Sequence, residues 1–146
     1  MSTLSIIIVN WNTRELIVQC LSSLSTLKGK TEIIVVDNAS SDGSPDAVLE
    51  LFPWVKLIQN SKNFGYAAGN NIGAGVASGE YFLLLNSDTI PKVEAILEMV
   101  TFLDNNHEIS VIGPFLRLGN GEAQVGAAGW DLTIKSAFNY QMMLHR

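Results

Sequence analysis

Runs of apolar, mostly β-branched residues recur along the chain at Leu4–Asn10, Glu32–Asp37, Val55–Gln59, Tyr81–Asn86 and Ile109–Phe115, and each predicts a β-strand. Apolar residues follow one another in these runs with little alternation, the pattern of strands covered on both faces. The segments between them switch to helical spacing. Leu16, Ile17, Cys20, Leu21 and Leu24 share one face, as do Val93, Ile96, Leu97, Val100 and Leu103. Helix starts are expected at Ser44, as a cap before Pro45, and at Pro91, in the first turn of the fourth helix. Strand and helix thus alternate from Leu4 to Phe115. This predicts an α/β fold, a three-layer, mostly parallel sheet flanked by helices with right-handed crossovers.

Such a sheet binds ligands beyond the carboxyl ends of its strands, near the point where strand order reverses. The polar segments that follow the strands are therefore the candidate chemistry: Asn10–Asn12, Asp37–Gly43, Asn60–Asn71 and Asn86–Thr89. After Phe115, Gly119-Asn120-Gly121 within Arg117–Gln124 has hairpin-turn composition, and Asp131–Arg146 has weak helical amphipathicity. The expectation is one domain over residues 1–146, with its core in 4–115 and a hairpin and C-terminal helix in 116–146.

Composition narrows the function classes. At 146 residues, 47% hydrophobic and 16% charged, the chain can bury a substantial core. Its apolar runs are far shorter than the ~20 residues of a bilayer span, and the N-terminus shows no basic leader or cleavable apolar segment, so the expected location is cytoplasmic. The net charge is −5, and the nine Lys and Arg residues are scattered, which offers no footprint for nucleic acid. A single nucleotide remains compatible, because backbone N–H groups or a metal can neutralise its phosphates. Cys20 is the only cysteine and reads as a small buried hydrophobe.

Asp88 closes the triplet Asn86-Ser87-Asp88 at the end of the fourth predicted strand. Mg²⁺ and Mn²⁺ take oxygen ligands and bind through one or two carboxylates together with substrate phosphates, so Asp88 is a candidate ligand with the Asn86 amide beside it. Capping of the next helix by Asp88 or Thr89 is the structural alternative. The cluster Asp37–Ser44 suits either base and ribose contacts or plain turn chemistry. Asn63, Gly65 and Asn70 have a ligand role or a loop-shaping one. Gly73-Ala74-Gly75 precedes a strand instead of following one, which argues against a dinucleotide fingerprint and for helix-to-sheet packing. Trp11 either supports a base or fills the core. His107 and His145 have no partners at metal spacing, and Trp54 and Trp130 read as structural.

Taken in order, "SIIIVNWN", "EIIVVDNASSDGS", "NSKNFGYAAGNNIGA" and "GEYFLLLNSDT" resemble the family 2 inverting glycosyltransferases of the GT-A fold, most nearly bacterial rhamnosyltransferase-like members. The resemblance covers roughly Leu4 to Phe115. It implies the donor-binding half of an enzyme that moves a sugar from a nucleoside diphosphate-sugar, such as a UDP- or dTDP-sugar, to a hydroxyl with inversion. It further implies base contacts from Val9, Trp11, Asp37 and Asn38, a nucleoside and sugar border of Asn63, Gly65, Gly69 and Asn70, and Asp88 as the carboxylate for Mg²⁺ or Mn²⁺, with Asn86 nearby. The acceptor would be a saccharide or lipid-linked molecule in cell-surface polysaccharide biosynthesis, with the full enzyme working peripherally at a membrane.

Two features depart from the family pattern. Asn86 stands where the fuller motif has a second acid, and no acidic "ED"-like motif for a catalytic base is visible; Asp131 is the only side-chain carboxylate after Glu122. A non-catalytic nucleotide-binding module, or a flavodoxin-like or nicotinamide-binding scaffold, are the rival readings.

Overall fold

A computed structural model of the chain describes residues 3–122. Contacts divide the chain into two compact units, Met1–Ser110 and Val111–Arg146. The first contains β1 (Leu4–Asn10), α1 (Arg14–Ser23), a 3-10 turn (Ser25–Leu27), β2 (Glu32–Asp37), α2 (Ser44–Leu51), β3 (Lys56–Gln59), α3 (Tyr66–Ala74), β4 (Tyr81–Asn86) and α4 (Val93–Asn105). All pairings are parallel, and the strand order is β3-β2-β1-β4. The chain builds outward from β1 to β3, then returns across the sheet to lay β4 on the other side of β1. Strand order therefore reverses between β1 and β4.

The two sheet faces are covered differently. Ile6, Ile8, Ile33 and Val35 point into one core with Ile17, Cys20, Leu21 and Leu24 of α1 and its C-cap, Val48 of α2 and Ile96 of α4. Each fully buried Ile or Leu there contributes about 1.5–3 kcal/mol over an exposed position. On the opposite face α3 lies on β1 and β2, and its glycines let it come close. A Cβ on Gly73 would sit 2.4 Å from Ile7 Cγ2, and one on Gly69 would sit 2.8 Å from Val9 Cγ1.

At the amino ends of the strands, the Glu32 carboxylate accepts hydrogen bonds from Ser5 Oγ, from Ser78 N (2.8 Å) and from Ser78 Oγ (3.1 Å), tying β1 and β2 to the segment before β4. The Ser5 hydrogen bond is the main reason the Glu32 pKa lies below the ordinary carboxylate value.

The structure alters several expectations. β4 alternates in burial, leaving Phe82 and Leu84 half-exposed, because α3 lies mainly over β1 and β2. The helix starts move as well. Gly43 occupies the N-cap of α2, so Ser44 is its first helical residue, and α4 starts at Val93 with Lys92 as N-cap, leaving Pro91 outside the helix. Ile109–Phe115 forms no strand; Pro114 cannot donate to a ladder, and Val111 and Phe115 are exposed.

In the second unit the described residues, 111–122, hold a turn in which Gly121 N donates to Leu118 O (2.8 Å) and Leu118 N to Glu122 O (2.8 Å). The rest of the expected hairpin, the helix at Asp131–Arg146, Trp130, Asp131 and His145 lie outside the described residues. No helix among the described residues is long and apolar enough to cross a membrane.

Candidate functional site

Parallel strands deliver Asn10, Asp37, Gln59 and Asn86 to one edge, so the polar segments that follow converge on a single rim. The β1–β4 reversal places Asn10–Asn12 and Asn86–Asp88 side by side at the position where open α/β sheets hold ligands.

Beneath the rim is a buried polar network. Asp37 is 1% exposed and its carboxylate is fully engaged: Oδ1 accepts from Asn10 Nδ2 (2.8 Å) and Ser40 Oγ (2.6 Å), and Oδ2 from Ser40 N (2.8 Å). Ala39, at φ 59°, turns the chain so that Ser40 can fold back onto Asp37. Asn38 is equally buried; its Oδ1 accepts from Asn60 Nδ2 (2.8 Å), and its Nδ2 donates to Gly65 O (3.2 Å). Asp37 and Asn38 thus form the floor that joins three loops. Val9 is buried under Gly69.

The residues that face outward are different ones. Trp11 is 54% exposed, so it does not fill the core. Asn63 is exposed and its Oδ1 accepts the Gly65 N–H at 2.8 Å. Gly65 adopts φ 85°, ψ 169°, a conformation restricted to glycine, and has open space where a Cβ would sit. Asn70, one turn into α3, is 6% exposed; its Nδ2 donates to Tyr66 O (3.1 Å), while its Oδ1 is the one buried side-chain polar atom without a partner among the described residues.

Asn86 and Asp88 are exposed and flank Ser87, which is 8% exposed. Asp88 caps no helix, since α4 begins five residues later without a side-chain cap. Thr89 closes the local turn instead, with its Oγ1 donating to Asn86 O at 2.8 Å. Among the described residues no group of three His, Cys, Asp or Glu side chains is placed to hold a metal. Among the described residues the β1–β4 reversal has one exposed carboxylate, Asp88, with the Asn86 amide nearby, which fits an ion shared with a ligand's phosphates. Cys20 lies under this loop, and its thiol is pushed up to about 11 mainly by burial, against a hydrogen bond from Thr89 and with the Asp88 charge reinforcing it, so it stays protonated and inert at neutral pH.

Two groups central to this arrangement, Thr13 and the capping carboxylate of Asp42, carried no signal of their own in the sequence. Thr13 Oγ1 donates to Asn10 Oδ1 (2.6 Å) and lies 3.0 Å from Ser87 Oγ. Asp42 accepts from Arg14 N (2.8 Å) and Ser44 N (3.0 Å), so one carboxylate caps the starts of both α1 and α2. Burial alone would raise the Asp42 pKa, but the Ser44 hydroxyl and the Arg14 and Ser44 amides outweigh it and hold the pKa below the ordinary value. Gly73 packs on Ile7 and Val36 at the far end of α3, which removes any dinucleotide fingerprint reading.

A parallel sheet with helices on both faces and a polar rim at its strand-order reversal defines an α/β class of protein that holds ligands beyond the carboxyl ends of its strands. More narrowly, the chain belongs to glycosyl transferase family 2, whose model matches residues 5–141, and its fold is GT-A. It is 31% identical over 118 residues to an uncharacterized glycosyltransferase of Haemophilus influenzae, covering 78% of this chain and 36% of the relative. It is 33% identical over 117 residues to the poly(ribitol-phosphate) beta-glucosyltransferase of Bacillus spizizenii, covering 75% of this chain and 18% of that one. Among solved structures, S. aureus TarS 1–349 in complex with UDP-GlcNAc aligns with TM-score 0.66 at 27% identity, covering 72% of this chain and 32% of that one. The Pyrobaculum calidifontis mannosyltransferase in complex with GDP-Man and Mn²⁺ aligns with TM-score 0.64 at 27% identity, covering 70% and 32%. The chain spans about a third of the length of the first of these relatives.

Proposed function

We propose that this chain is the donor-binding part of a glycosyltransferase that moves a sugar from a nucleoside diphosphate-sugar to a hydroxyl of a saccharide or lipid-linked acceptor with inversion. The observation that carries the reading is the exposed carboxylate Asp88, free of any capping duty, beside β1 at the strand-order reversal. The nucleotide-sugar complexes of two structural neighbours support it.

In this reading the exposed Trp11 ring supports the base, over a floor of Val9, Asp37 and Asn38. Asn63, Gly65, Gly69 and Asn70 border the nucleoside and sugar, and Asp88 with Asn86 holds a divalent metal, Mg²⁺ or Mn²⁺, on the diphosphate. When bound, the metal supplies positive charge against the leaving diphosphate. The chain's own residues orient the donor so that the anomeric carbon faces the acceptor.

Because the described residues bring a single carboxylate, Asp88, to the β1–β4 reversal, Mn²⁺ alone leaves the melting temperature unchanged, whereas UDP, GDP or dTDP together with Mn²⁺ raises it. At about a hundred times the dissociation constant the stabilisation is about 2.7 kcal/mol. Asp88→Ala removes the Mn²⁺-dependent part and, since Asp88 caps nothing, changes the stability of the free protein by less than about 0.5 kcal/mol. Absence of a melting shift with all three nucleotides in the presence of Mn²⁺ would sink the proposal.

A further inference from the structure

Thr13 breaks a local rule. It occupies the N-cap of α1, where a threonine hydroxyl ordinarily accepts from a first-turn N–H, yet it makes no capping bond. Asp42 from the next loop does that work, through Arg14 N. The Thr13 hydroxyl is spent between Asn10 Oδ1 and Ser87 Oγ, across the β1–β4 reversal.

The donor inventory fixes the direction of this chain of hydrogen bonds. Asn10 Nδ2 donates to the Asp37 carboxylate, which leaves Asn10 Oδ1 as an acceptor for the single Thr13 O–H. Thr13 Oγ1 can then only accept from Ser87, so every O–H and N–H from Ser87 to Asp37 points toward the buried carboxylate. A one-way network of this kind is held more firmly than its separate bonds. Its far end is the buried residue between exposed Asn86 and Asp88, and it crosses between two strands far apart in sequence.

We infer that Thr13 is a positioning residue, which through Ser87 fixes the Asp88 carboxylate over the end of β1 so that metal and nucleotide are held together. The inference rests on the proposed function and adds to it the residue that sets the geometry of the metal ligand. Partners behind a metal ligand are commonly worth about 10–100-fold in metal affinity. Replacing the Thr13 hydroxyl by the isosteric methyl of valine leaves Ser87 without its acceptor and frees the loop.

The test is calorimetric titration of the whole chain with UDP, GDP and dTDP, in EDTA and in MnCl₂, for the wild type, Thr13→Val, Thr13→Ser and Ser87→Ala, with the fold checked by circular dichroism. The wild type binds one of the nucleotides more tightly in Mn²⁺. Thr13→Val and Ser87→Ala keep the affinity measured in EDTA but lose about tenfold or more of the Mn²⁺-dependent tightening, and Thr13→Ser restores it. Undiminished Mn²⁺ tightening in both Thr13→Val and Ser87→Ala, even with a lowered melting temperature, overturns the positioning role alone. No binding by the wild type in either buffer overturns the nucleotide-binding reading and this inference with it.

Discussion

Gly69 and Gly73 decide how near α3 can lie to the sheet, and their cost on substitution follows from the distances. A methyl on Gly73 meets Ile7 Cγ2 at 2.4 Å and one on Gly69 meets Val9 at 2.8 and 2.9 Å, contacts that only a shift of helix or strand relieves. Gly73→Ala therefore destabilises the chain by about 1–3 kcal/mol, despite the better helix propensity of alanine, as read by urea denaturation. Gly75, which has only its own helix's carbonyls nearby at 3.4 and 3.6 Å, is the matched control and loses far less when changed to Ala. The packing role of Gly73 was legible in the sequence because small residues at helical spacing between two strands have few other uses. Asn10, Thr13 and Ser87 were not legible as a set: each is an ordinary polar residue at a strand or helix end, and their meaning arises only when β4 arrives beside β1.

Two helices share one acid. Asp42 satisfies the first amides of α1 and α2, so Asp42→Ala costs about 1–2 kcal/mol by thermal or urea unfolding. Asp46→Ala removes only a first-turn charge and costs about 0.5 kcal/mol. Asp42 and Glu32 also make stability depend on pH. Both have folded pKa values below their ordinary ones, so the stability they contribute is complete above the ordinary values and is lost as pH falls through the lowered ones. Unfolding free energy accordingly declines as pH falls below the ordinary carboxylate values, and the double variant Glu32→Gln, Asp42→Ala shows a shallower decline. The bounds of β1, β2 and β4 were readable from composition, since their runs end where polar loop residues begin. The starts of α2 and α4 were not, because the capping group of α2 is followed by a glycine N-cap and α4 has no side-chain cap. The apolar run Ile109–Phe115 misled for a different reason: hydrophobicity alone does not supply a ladder partner.

Among the described residues the sheet ends in β4, whose Phe82 and Leu84 are half-exposed. An apolar edge of this kind favours association between chains. Leu84→Thr reduces self-association in analytical ultracentrifugation while costing less than about 1 kcal/mol, whereas Leu83→Ala, on the covered face, costs about 2 kcal/mol or more. The α/β class and the rim followed directly from the order of strands, helices and polar loops. The side of β1 on which β4 lies did not, since either edge of the growing sheet offers the same ladder. That placement has a consequence in time. Ser5 meets Glu32 after one crossover, but Leu4 meets Tyr81 only after three, so the β1–β4 ladder carries the largest loop-closure entropy in the sheet. The β1–β2–β3 half can close first from short-range contacts, and the groove beside Asp88 comes into being with the final strand. A nucleotide arriving early finds nothing to recognise, and ligand binding reports completion of the fold, not its onset.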